Sequence, residues 1–165
     1  RAGNAFSAEV RGLAHYLQQP KGRLFQYTCD ADLGDALCGV SLASPSYRAT
    51  GAVAEAASDR RFMTTGLAGY ADGWFARGLL RFTSGPASGQ AIEVKRHRIM
   101  PSGIEIELWA PARGPLDTGQ TFSITAGCNK TYDTCRARFA NGVNFRGFPS
   151  MPGNDFLTRR ARRGG

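Results

Sequence analysis

The chain has 165 residues, 42% of them hydrophobic and 21% charged, with a mean hydropathy of -0.31. That is enough for one domain with a sizeable core, and it describes a globular rather than a disordered protein. No apolar run approaches the roughly 20 residues that span a bilayer, and the opening RAGNAFSAEV lacks the apolar centre of a signal peptide. Arg1 stands where an initiator Met would, which points to a processed product or to part of something longer.

The formal net charge is +8 and the pI about 9.9, a balance that attracts nucleic acid or another acidic surface. The densest basic run, RRARR at 159–163, reads as a solvated tail, with a polyanion or acidic protein as the functional alternative. Of the 21 basic residues 18 are Arg, which suits carboxylate forks and protein interfaces at least as well as phosphates. No aromatic strand of the kind that stacks single-stranded bases is present.

In chain order, FSAEVRG (6–12) alternates as a short strand does, and GLAHYLQQ continues as a helical turn or two, stopped by Pro20 and Gly22. RLFQY then runs extended into Cys29, and the turn formers Asp30, Asp32 and Gly34 make a loop up to Cys38. The span from Gly39 to Ala126 is mostly β. Strands are expected within 46–66 and at 74–84, 90–100, 104–110 and 120–126, separated by GPASG, PSG and PARGPLDTG. Ile104, Ile106 and Leu108 should face the core, Glu105 and Glu107 the outside. TCRARFANG can form a helical turn or two with Gly142 as its stop, and Phe145, Phe148 and Phe156 should pin the irregular segment that follows to the body. The fold class is therefore mainly β: a small antiparallel barrel or sandwich at 39–127. It is inserted between cysteine-bearing loop and short-helix segments, 1–38 and 128–165, that would form one discontinuous domain.

Four cysteines divide the chain as C-x8-C, 89 intervening residues, then C-x6-C. Two disulfides would need an oxidising compartment, and a chain of this size has less need of them than a mini-protein. Structural zinc usually takes C-x2-4-C knuckles, and neither pair is one. An iron–sulfur cluster is larger than one ion, can be wrapped by wider loops and commonly takes four thiolates. The spacing leaves these three open, together with four unlinked buried thiols. Arg23, Lys130, Arg136 and Arg138 lie near the cysteines in sequence and could offset a cluster's negative charge, but Asp30, Asp35 and Asp133 lie as near. Any link between residues 38 and 128 closes a loop costing about 4 kcal/mol in the unfolded chain.

CDADLGDALC, WFARGLLRFTSG and above all GCNKTYDTCRARFANGVNFRGFPSMPGND resemble the C-terminal half of the tail-tip and baseplate hub proteins of long-tailed phages. The hubs of gene transfer agents are the nearer members, and the phage lambda tail-tip protein L a more distant one. The resemblance runs from about Phe6 to Asp155. It implies that Cys29, Cys38, Cys128 and Cys135 hold a 4Fe-4S cluster as cofactor. It also implies a non-enzymatic virion protein, in three copies around the tail axis, joining the distal tail ring to the central fibre or cell-contacting protein. Its expected place is the tail tip or baseplate, after assembly in the bacterial cytoplasm. The family's upstream domain is expected to be absent before Arg1.

Catalysis has little support in the residues. His15 and His97 are the only histidines, neither lies in a nucleophile elbow or an H-E-x-x-H pattern, and Glu105 and Glu107 share an outer strand face. A metal-stabilised basic nucleic-acid-binding module is the alternative, motivated by the charge of +8; within the hub reading, nucleic acid would be met at most transiently, in the lumen.

Overall fold

The computed structural model describes Gly12 and residues 22–151. The strand and helix expected at 6–18, Phe156 and the RRARR run lie outside them. Six strands form the centre: β1 (Arg48–Ala56), β2 (Arg61–Thr65), β3 (Leu79–Phe82), β4 (Ala91–Met100), β5 (Gly103–Leu108) and β6 (Thr121–Thr125). Each pairs antiparallel with its neighbours in the order β1-β2-β5-β4-β3-β6, and β6 returns to β1 to close a barrel. Among the described residues, closure leaves none of the six barrel strands with a free edge for pairing with another chain. The mainly β expectation holds, and its barrel form is the one adopted.

Alternation accounts for most of the barrel core. Leu80 and Phe82, Ile92 and Val94, Ile106 and Leu108, and Phe122 and Ile124 all point inward and are buried. Phe62 meets Phe122 edge-on at 5.8 Å and Phe82 at 6.4 Å, so three aromatic rings fill the interior. Glu105 and Glu107 face outward as expected, Glu105 4.0 Å from Arg61 and Glu107 2.7 Å from Lys95 and 3.5 Å from Arg96. Within β4, strict alternation would send Arg96 and Arg98 into the core. A register shift between Val94 and Arg96 reverses the phase instead. Both arginines then face out and His97 faces in, 1% exposed.

The strand expected at 74–84 is shorter. Residues 71–78 form successive tight turns, with Trp74 N–H donating to Ala71 O, Ala76 N–H to Gly73 O and Gly78 N–H to Phe75 O. Arg77 takes a left-handed conformation at φ 65°. The apolar residues of this stretch are used to plug the barrel with Phe75 rather than to extend β3.

A second apolar cluster joins Ala31, Cys38, Val40, Ala126 and Phe139, with Leu33, Leu42 and Tyr47 packed on it. Its helix, α1 (Tyr132–Phe139), starts at Thr131, whose side chain accepts from Thr134 N–H. Gly142 was the expected stop, but the helix ends two residues earlier, at left-handed Ala140, and Gly142 opens a short 3-10 turn. Phe145 packs on Tyr132 at 5.2 Å and Phe148 on Phe25 at 4.6 Å, so both aromatics pin the following segment as expected. Trp74 touches both clusters and forms the seam between them.

Candidate metal centre

Cys29 and Cys38 bracket a loop organised by Asp35. Its carboxylate accepts from the N–H groups of Asp32 (2.9 Å), Leu37 (3.0 Å) and Cys38 (2.6 Å). Those bonds, the Cys38 N–H foremost, hold the Asp35 carboxyl below the usual carboxylate range. Gly34, at φ 88°, turns the loop where Leu42 packs against it. Cys128 and Cys135 arrive from the other side, the first just past β6 and the second inside α1.

Lys130 ties the two halves together. Its carbonyl accepts from Cys29 N–H at 2.8 Å, and its ammonium donates to Ala31 O and, at 2.9 Å, to Asp32 Oδ1. Its left-handed backbone, φ 65°, aims its own N–H at Cys128 Sγ, 3.3 Å away. Asn141 performs a similar service beyond α1: its Nδ2 donates to Cys38 O at 2.6 Å and reaches Cys38 Sγ at 3.7 Å, while Cys135 Sγ lies 3.3 Å from Asn141 O. Outside this shell, Asp30 is pinned by Arg23 (2.8 Å) and Arg146 (2.9 Å), which hold its carboxyl low, Arg146 most strongly.

All four cysteines line one small, largely enclosed hollow, walled by Ala31, Leu33, Val40 and Phe139. None is disulfide-bonded; Cys38 and Cys135 are buried and the other two half-buried. Burial pushes the Cys135 thiol up, and the other three cysteines add to the shift. Were all four sulfurs held as thiolates this close together in an apolar wall, a cation would be needed to balance them. Among the described residues no three His, Cys, Asp or Glu side chains are grouped so as to hold a single metal ion.

The sequence located all four thiols, and the structure brings them together. The cations expected beside them are largely committed elsewhere: Arg23 to Asp30, Arg136 over the Tyr132 ring at 6.0 Å, and Arg138 over Trp74 at 4.8 Å. Only Lys130 sits in the wall of the hollow. Asn141 and the role of the Lys130 backbone were not foreseen. An Asn just past a helix signals a cap, but a bond to Cys38, 103 positions away, has no local signature. His97 is packed, edge-on to Phe75 at 5.2 Å, and takes no part in this site.

Residues 73–155 match the family model described as phage conserved hypothetical protein BR0599, and residues 1–41 match that of the baseplate hub protein N-terminal attachment domain. A chain in the solved virion of a native gene transfer agent particle is 36% identical, with a TM-score of 0.77. That match covers 100% of the present chain and 57% of the virion chain, so the present chain spans little more than half the length of its relative. Comparison with curated proteins finds no match. No helix among the described residues is long and apolar enough to cross a membrane.

Proposed function

Because the chain belongs to the phage family described as conserved hypothetical protein BR0599, we propose that it is a structural hub subunit of a phage-like tail baseplate, of the gene transfer agent type. The baseplate attachment-domain match at its start and the virion chain that it resembles support that role. In this role three copies surround the tail axis and join the distal tail ring to the central fibre.

We further propose that Cys29, Cys38, Cys128 and Cys135 hold a 4Fe-4S cluster. The observation that carries this is the convergence of all four thiols on one hollow. The donor set fits: four sulfur ligands and no competing carboxylate in the wall, a backbone N–H on Cys128 Sγ and a side-chain amide on Cys38 Sγ. Donors of that kind stabilise thiolate charge. When bound, the cluster supplies a four-point covalent cross-link between two segments far apart in sequence. The chain's own residues then do the rest: Asp35 shapes one loop, Lys130 and Asn141 hold the other against it, and Trp74 hands the fixed geometry to the barrel.

Protein purified without oxygen should be brown and contain iron and acid-labile sulfide in equal amounts. Colourless protein containing zinc, or two disulfides under native conditions, would overturn the cluster while leaving the baseplate assignment standing.

A further inference from the structure

Beside the seam, an open groove is lined by Arg77, Lys95, Asn129, Thr134 and Arg138, with Gly73, Ala76 and Gly127 completing its walls. Three of those side chains are cationic and none is acidic. The nearest acids have other partners or face elsewhere: Asp72 accepts from Ile99 N–H at 2.8 Å, Glu107 takes Lys95 and Arg96, and Asp133 on α1 is exposed and lies outside the lining. Among the described residues neither Arg77 nor Arg138 has a carboxylate within 4.0 Å.

Arg138 is fixed before any ligand arrives. Its Nη1 donates to Trp74 O at 3.2 Å and Gly127 O at 3.0 Å, and its plane lies over the Trp74 ring. The remaining guanidinium N–H groups have no partner among the described residues. Asn129 is likewise oriented: its Oδ1 accepts from Thr131 N–H and Oγ1, leaving its amide hydrogens as donors. Arg77 lines the same groove from a turn, its own N–H donating to Val94 O at 2.7 Å.

We propose that this groove binds a phosphate group, either a free phosphate oxyanion or a phosphate of a nucleic-acid backbone. A carboxylate is satisfied by one guanidinium fork in one plane, whereas a tetrahedral, multiply charged anion uses donors that converge from separate walls. Here Arg77 comes from the turns before β3, Thr134 and Arg138 from α1, and Asn129 from the segment between β6 and α1. Lys95 supplies charge at the rim with its ammonium held by Glu107.

The test is titration of the full chain, prepared without oxygen, with inorganic phosphate, with a short DNA duplex and with acetate, followed by amide chemical shifts. Phosphate should shift residues 73–77, 129–134 and 138. Arg77→Ser, whose side chain is exposed and unpaired in the described structure, should weaken binding about tenfold or more. Competition by the duplex, with a salt dependence that falls by about one charge in Arg77→Ser, assigns the backbone source. Phosphate binding without such competition assigns the free anion. Absence of binding by both, equal binding of acetate, or an Arg77→Ser protein that binds like the parent overturns the site. None of these outcomes depends on iron content, so failure here is separable from failure of the cluster.

Discussion

His97 is a buried imidazole whose two ring nitrogens lack a hydrogen-bond partner. Desolvation lowers its pKa below the ordinary 6.5, and the charge of Asp72 opposes that shift only partly. In the unfolded chain the ring takes a proton near pH 6.5, while the folded protein resists until lower pH. The unfolded state therefore binds more protons in that window, so stability is full above about pH 6.5 and falls as the pH drops toward the folded value. Urea midpoints measured from pH 7.5 to 5 should decline in the parent and stay flatter in His97→Leu. Equal slopes in the two proteins would show that another group titrates. The cysteines teach a related lesson at this scale, since thiols placed in an apolar wall are held by single contacts from Lys130 and Asn141.

The critical element contact is the crossing of the 73–78 turns with the end of β6. Ala126 N–H donates to Tyr47 O at 2.7 Å and Gly127 N–H to Trp74 O at 3.1 Å, so the chain passes from barrel to cysteine segment directly against the turns. A Cβ on Gly127 would lie 1.7 Å from Ala76 O, and one on Gly78 would lie 2.0 Å from Thr125 O. Backbone, not a flexible side chain, occupies both places. Gly127→Ala should therefore destabilise by about 1–3 kcal/mol or more in chemical denaturation, through forced separation of the two backbones. Unchanged stability would mean that the crossing is not tight. Of the elements, β5 was legible from the alternation of Ile104, Ile106 and Leu108, β6 from Phe122 and Ile124, and β4 from Ile92 and Val94 up to its register shift. The turns at 71–78 were not: the aromatic and apolar content of WFARGLL suits a strand, and its true use as a plug depends on a barrel mouth made by other strands.

On the scale of the molecule, the barrel and the cysteine-bearing segments share one seam through Trp74, and the segments themselves are held by contacts spanning the chain. Phe148 N–H donates to Gln26 O at 2.9 Å, and Arg146 reaches Asp30. If a cluster joins the four thiols, Cys128→Ser removes a ligand and the cross-link together. Such a protein should lose its brown colour and become more rapidly cleaved by limited proteolysis within 129–151, with the barrel core still protected. Retention of parental resistance in that segment would show that packing alone holds it. Net charge acts on this scale too: +8 spread over a small surface makes association with acidic partners dependent on salt.

Local order was written in the sequence wherever a short-range rule sufficed: alternation for β5, β6 and the start of β4, and Gly and Pro for their boundaries. The four cysteines were legible as a candidate set because they are the only thiols in the chain. Tertiary structure alone decided that the strands close into a barrel, that a bulge turns His97 inward and two arginines out, and that Lys130 and Asn141 brace the thiols. Those outcomes depend on pairings beyond a short window, such as Arg96 with Glu107, Lys130 with Cys29 and Asn141 with Cys38, where the free energy comes from burial and hydrogen bonds that local pattern does not contain.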